Sequence, residues 1–196
     1  MKKLFLVLGI ISLPTFAAVS ANVSFTSDYI WRGMTQTDGP AIQGGFDFSA
    51  DNGFYAGIWG SNVNFSTGNG AELDYYAGYA FETEAGVGVD VGFIKFDYPD
   101  STGAFEELYL GLSYGDLGLL YAAGQDTATD YLEVSYAIGA VSLAYGQYDD
   151  MGDNLSISYG FTCGSYDCAL AYSDFTDEGY SGVDEDAIVF SVSASL

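Results

Sequence analysis

A chain of 196 residues with 27 acidic side chains, four basic ones and no histidine carries a formal net charge of −23. Such a chain repels DNA and RNA, and it lacks the residue on which most general-base and zinc chemistry rests. Yet 49% of it is hydrophobic, with 17 Tyr and 14 Phe, so it is too apolar for an acidic disordered polymer and must be packed or embedded.

Lys2 and Lys3 precede an apolar run from Leu4 to Ile11, continued by Leu13 and Phe16, and Val19-Ser20-Ala21 offers the small residues of a cleavage site. A secretory signal is therefore expected over residues 1–21, with one domain over residues 22–196. The apolar run is shorter than the roughly 20 residues of a membrane-crossing helix, and no comparable run follows it. Losing both lysines leaves Arg32 and Lys95 to face all 27 acids.

Beyond the leader, apolar residues recur at every second position in segments of about ten residues, the length of a tilted strand crossing a bilayer. Val23, Phe25, Tyr29 and Trp31 alternate with Ser24, Thr26, Asp28 and Arg32; Ile42, Phe46 and Phe48 alternate with Gln43, Gly45 and Asp47. Phe54, Ala56 and Ile58 follow, then Leu73, Tyr75, Ala77 and Tyr79 opposite Glu72, Asp74, Tyr76 and Gly78. The clearest two-faced segment sets Val87, Val89, Val91 and Phe93 against Gly86, Gly88, Asp90 and Gly92. Later runs centre on Leu110, Leu119, Val134, Leu143, Ile157 and Leu170, and the chain closes on Ile188, Phe190, Val192, Ala194 and Leu196. The tally is about twelve strands.

Short connections at Asp51-Asn52-Gly53, Thr83-Glu84-Ala85, Gly115-Asp116, Gly139-Ala140 and the cysteine hairpin alternate with longer acidic stretches. Those stretches run over residues 33–40, 64–70, 98–103, 125–130, 149–154 and 173–185. This rhythm predicts an all-β fold, a closed antiparallel transmembrane β-barrel with short periplasmic turns and longer extracellular loops. A secreted β-sandwich or lipocalin-like can is the competing fold. Outward-phase tyrosines such as Tyr75, Tyr121, Tyr145 and Tyr172 suit aromatic girdles, and glycines in the polar phase leave room for curvature.

Cys163 and Cys168, in an exported chain, are expected to form a disulfide across a hairpin turning at residues 164–167. Their spacing is not that of a CxxC motif, and without histidine no zinc site is expected. No metal site, cofactor or catalytic residue is assigned. Glu106 and Glu107, the nearest approach to a carboxylate pair, point to opposite faces of a strand.

If the polar phase faces a lumen, Asp28, Asp47, Asp74, Asp90, Glu107 and Glu133 line it, and such acids favour cations. Arg32 shares the phase of Asp28 and is expected to reach inward against acids across the barrel. Lys95 continues the outward phase, where its stem can snorkel to lipid phosphates. The acidic loops match no EF-hand pattern and read as solvated charge.

Ser27-Asp28-Tyr29, Arg32-Gly33, Thr35-Gln36, Pro40, Gln43-Gly44-Gly45, Gly57, Trp59 and Ser61-Asn62-Val63 resemble the N-terminal block of the TorF family of proteobacterial porins. The resemblance implies an outer-membrane barrel and brings no substrate residues with it; Leu196 departs from the aromatic that usually ends such barrels. The expected function is passive diffusion of small cationic or neutral solutes, ammonium or small amines among them, across a Gram-negative outer membrane. Its expected partners are outer-membrane lipid and lipopolysaccharide, with a homo-oligomer admitted but not specified and no nucleic acid. The alternative is a non-conducting barrel whose acidic loops bind divalent cations or a partner.

Overall fold

The computed structural model describes residues 18–65, 68–99 and 103–195. Twelve strands close into one antiparallel barrel: β1 (Ala18–Thr26), β4 (Ala41–Ser49), β5 (Phe54–Phe65), β6 (Gly68–Glu82), β7 (Gly88–Asp97), β8 (Phe105–Tyr114), β9 (Leu117–Gly124), β10 (Tyr131–Ile138), β11 (Val141–Tyr148), β12 (Gly152–Cys163), β13 (Tyr166–Asp177) and β14 (Glu185–Ser195). Each strand pairs with its neighbour in the chain, and β14 returns to β1 through Asn22↔Ser195 to Thr26↔Ser191. That closing ladder satisfies the backbone groups an open edge would leave bare, which is the condition for strands to stand in hydrocarbon. Two further short strands, β2 (Ile30–Trp31) and β3 (Met34–Thr35), pair only with each other.

The period-two pattern fixes which face each side chain takes. Ile42, Phe46 and Phe48 of β4, Leu132, Val134, Tyr136 and Ile138 of β10, and Ile188 and Phe190 of β14 all lie on the outside, with Ile188 73% and Phe46 62% exposed. An apolar surface this continuous around the wall would aggregate in water and is stable only when covered. Among the described residues no helix is long and apolar enough to cross a membrane.

Three turns at one end are as tight as the sequence suggests, while the connection expected at Thr83 to Ala85 extends over residues 83–87 before β7 begins. Gly115-Asp116, Gly139-Ala140 and Gly164-Ser165 each open on a glycine at positive φ (62°, 64° and 69°), the II′ arrangement whose twist matches the flanking strands. The cysteine hairpin therefore turns on two residues rather than over 164–167, because Tyr166 already pairs with Cys163. At the other end the strands run further than their apolar residues do. Pairing continues to Phe65↔Gly68 and to Gly152↔Asp177, so the connections expected at 64–70, 149–154 and 173–185 shrink to 66–67, 149–151 and 178–184.

Cys163 and Cys168 form the disulfide, on the outer face of the β12–β13 hairpin. It closes a loop of only a few residues, so serine at both positions should lower the unfolding free energy by about 2 kcal/mol and leave the barrel intact, as read from urea titration of refolded protein. Loss of the native fold would contradict a merely local staple.

Three glycines explain how tyrosines fit inside. Gly57, Gly78 and Gly92 pair with Tyr76, Tyr55 and Tyr109 on the adjoining strands, and each ring or hydroxyl occupies the space a Cβ would need. The rings thus lie flat along the inner wall of β5 to β8 rather than across the lumen. Gly57→Ala should cost about 1–3 kcal/mol by overpacking, most of it absent when Tyr76 is already alanine. Additive costs in that double-mutant cycle would contradict the joint.

Candidate channel interior

The first segment departs from its expected course. Tyr29 and Trp31 continue the outward phase in sequence, but the chain leaves the wall after Thr26 and folds into the barrel, so Tyr29 is buried and Trp31 packs inside. The exit is set by Ser27, whose N–H donates to the Phe190 carbonyl (2.9 Å) while its Oγ accepts from the Phe190 N–H (2.9 Å). Beyond it, Asp28 Oδ1 accepts from the hydroxyls of Thr35 and Thr37 (2.8 Å each) and from the Gly39 N–H (3.4 Å), drawing the segment into a compact loop.

Within that loop β2 and β3 form a hairpin whose two-residue turn, Arg32-Gly33, has φ of 49° and 89°. Arginine is a costly residue at positive φ, and such strain persists only where contacts overdetermine it. They do so here: Arg32 donates from Nη1 and Nη2 to Glu107 Oε1 and Oε2 at 2.6 and 2.7 Å, a bidentate pair whose side chains are 9% and 2% exposed. Its guanidinium also stands 4.4 Å from the Trp31 ring centroid, 4.1 Å from Tyr131 and 5.1 Å from Tyr148. Burial alone would lower the guanidinium pKa; the Glu107 hydrogen bonds and charge outweigh it and hold the group protonated. Gly33 presses the far wall, where a Cβ would come within 2.7 Å of Asn154 Cβ and 2.9 Å of Phe175 Cβ.

The hairpin is tied to the wall at further points. Tyr29 donates its hydroxyl to Glu72 Oε1 (2.9 Å), the Thr35 N–H donates to Glu185 Oε2 (2.7 Å), and the Asn64 N–H donates to the Gln36 carbonyl (2.8 Å). Segment 27–40 therefore reaches from β1 across to β8, β12 and β13, at the end of the barrel away from the tight turns.

The acids singled out from the sequence occupy distinct places inside. Asp28 braces the hairpin, and Glu107 is held by Arg32. Asp47 accepts from Asn22 Nδ2 (3.1 Å) and from the Tyr76 hydroxyl. Asp90 accepts from the Tyr55 hydroxyl (2.6 Å), which also touches the Tyr109 hydroxyl. Glu133 accepts from Tyr131 (2.8 Å). Asp74 stands beside Glu72, two residues away on the same face of β6, and both are buried. Glu72, whose alternation with Leu73 gave it the inward phase, was not among the candidates; its hydrogen-bonded partner Tyr29 lies in the segment that turns inward.

Beyond Tyr131, Glu133, Asn154 and Phe175, the inward positions nearer the tight turns of β10 and β12 to β14 are small: Ser135, Ser156, Ser158, Ser191 and Ser193 share their face with Ala169 and Ala171. Lys95 lies outside, half-exposed, with Nζ 3.9 Å from Asp97. Burial, with Glu72 and Asp74 close by, pushes the Tyr29 and Tyr98 phenols well above their usual range, so both remain neutral donors.

A closed antiparallel barrel with an apolar outside, a polar inside and a segment folded into the lumen has the architecture of a transmembrane β-barrel. Residues 14–181 match the family described as "Bacterial protein of unknown function (Gcw_chp)", and the chain belongs to that family. The TorF resemblance of the N-terminal block is not confirmed by this match. The fold is similar to that of a KdgM porin, with a TM-score of 0.60 and 11% identity over 90% of this chain and 97% of that one. A second structure, a KdgM porin in complex with disordered oligogalacturonate, gives 0.55 and 9% over 90% and 96%. No curated protein matches the sequence.

Proposed function

We propose that this protein is a narrow diffusion channel of the Gram-negative outer membrane that passes small cationic or neutral solutes and acts as a conduit, not an enzyme. The observation that carries the reading is the division of the wall: apolar side chains outside, and inside Asp28, Asp47, Asp74, Asp90, Glu107 and Glu133 with Arg32 as the basic side chain among them. An interior with so few fixed positive charges favours cations and opposes anions. Oligogalacturonate, the ligand in one similar structure, is a polyanion and would be a poor cargo here.

Segment 27–40 is the constriction in this reading. A leader over residues 1–21 belongs to this reading, and its removal would take with it the first four residues of β1, which pair with Phe46 to Ser49 of β4. The outward tyrosines and Lys95 suit contact with lipid headgroups and lipopolysaccharide.

Planar-bilayer recording of the refolded protein tests the proposal. Discrete steps with a reversal potential on the cation side of a KCl gradient are expected. The hairpin's several anchors favour the non-conducting barrel as the second reading, and an absence of steps across many insertions would establish it instead.

A further inference from the structure

We propose that the outer wall of β6 to β8 holds one lipid whose headgroup carries both a phosphate and a primary ammonium, the phosphoethanolamine pattern, with an acyl chain laid in a groove below Lys95. This site rests on the channel reading only in that the outer face meets lipid, and it asks nothing of conduction.

The groove, of about 540 Å³, is bounded on the outer face by Phe54, Ala77, Tyr79, Val91, Phe93 and Leu108. Its depth follows from the register of the strands. Ala77 pairs with Ala56 on β5 and with Phe93 on β7, so two small side chains lie together in a surface from which rings and branched chains project. Phe54, Tyr79, Val91 and Leu108 all remain exposed around them. The protein's own side chains leave the furrow unfilled, and its lining gains dispersion contacts only when an apolar chain from outside lies in it.

The charges above the groove select the headgroup. Lys95 continues the column of Val91 and Phe93, about 7 Å beyond Phe93 by the rise of a strand. Among the described residues it is the basic side chain of the outer face, since Arg32 is committed to Glu107 inside. Two acids flank it: Glu106 pairs with Lys95 in register, and Asp97 Oδ1 lies 3.9 Å from Nζ. One cation between two carboxylates opposes a headgroup that is only negative, and Lys95 opposes one that is only positive. A zwitterion satisfies both signs, its phosphate accepting from Lys95 Nζ while its ammonium donates to Glu106. Tyr75, exposed on the other side of Lys95 in register, can donate its hydroxyl to the same phosphate. Exposed ion pairs contribute little singly. The groove supplies the rest by fixing the chain, so that the headgroup arrives at Lys95 already placed.

The test is native mass spectrometry of the full chain, refolded and freed of lipid in detergent, then given equimolar phosphatidylethanolamine and phosphatidylglycerol with the same acyl chains. One retained phosphatidylethanolamine per barrel is expected, with phosphatidylglycerol held about tenfold less, the effect of losing one charge-assisted hydrogen bond. Ala77→Phe, which fills the groove from outside, and Lys95→Gln should each cut the retained phosphatidylethanolamine by about tenfold, and Glu106→Gln should close the gap between the two lipids. A ladder of adducts with no preference between the lipids, retention unchanged in Ala77→Phe, or a preference that survives Glu106→Gln would overturn the proposal. The wild-type competition decides the matter even if a variant does not refold. Binding is read without current, so a failed competition leaves the channel reading standing, and a barrel that keeps the lipid but never conducts would sink the channel and keep the site.

Discussion

Replacing Glu107 with alanine is expected to lower the unfolding free energy of the refolded barrel by about 3–5 kcal/mol, the usual cost of stranding one member of a buried ion pair. Arg32 would be left buried, at a positive φ it does not favour, with only ring faces for company. The guanidinium must then find water, and the simplest route is for the Arg32-Gly33 tip to swing off the β12–β13 wall. Conductance should therefore rise and flicker as stability falls, since the ion pair at the tip is gone while the Thr35–Glu185 and Gln36–Asn64 ties remain. Exchanging both partners for apolar residues of similar volume, Arg32→Met with Glu107→Leu, should recover most of the lost stability. Urea titrations and single-channel recordings read the two effects. A Glu107→Ala protein as stable and as quiet as the wild type would show that the pair does not hold the hairpin.

Neutralising Asp47, Asp90 and Glu133 together, as Asn, Asn and Gln, should reduce the cation-to-anion permeability ratio by about tenfold, the lower end of what a focused surface field contributes. These three are chosen because each accepts from a neutral tyrosine hydroxyl and not from a cationic donor. Amides of the same shape still meet those tyrosines, so the wall stays built while the field disappears. High salt should erase the difference between variant and wild type, because screening at 1 M acts over about 3 Å. Unchanged selectivity in the variant would place the filter elsewhere, at Glu72 and Asp74 or in the loops.

Much of this architecture was legible in the residues because one constraint acts on every strand. Where one face meets an apolar surround and the other does not, the period of two cannot drift. Val89 to Phe93, Leu132 to Ile138 and the terminal Ile188 to Ala194 therefore gave their faces away. The pairing of Cys163 with Cys168 followed from proximity alone. Asp47, Asp74, Asp90, Glu107 and Glu133 were placed on the inner face by the same period.

What stayed hidden depended on distant partners. Tyr29 and Trp31 keep the alternation of β1 and so looked like wall residues; only the Ser27–Phe190 hydrogen bonds and the Arg32–Glu107 pair, 75 residues apart in sequence, turn them inward. The clustering of Asp28, Thr35, Thr37 and Gly39 was the local hint, since an aspartate followed by threonines and a glycine is built for a self-bracing loop. The outer strand ends were missed for the opposite reason. Residues 68–70 and 174–177 pair as strands, but the first stretch has no large apolar side chain and the second has only Phe175, which turns inward, so no outward hydrophobic rhythm marks them. Residues 1–17 and Leu196, to which the leader and the chain-end reading also refer, lie outside the described residues.

A nitroxide scan along β10 in lipid vesicles puts the arrangement of faces to trial. Labels at 132, 134 and 136 should collide readily with oxygen dissolved in the bilayer, while labels at 133 and 135 should be sheltered from it, alternating residue by residue. Labels at 132, 134 and 136 shielded from oxygen, as in a sheet packed against a second sheet, would mean that the apolar face meets protein and that no passage is enclosed.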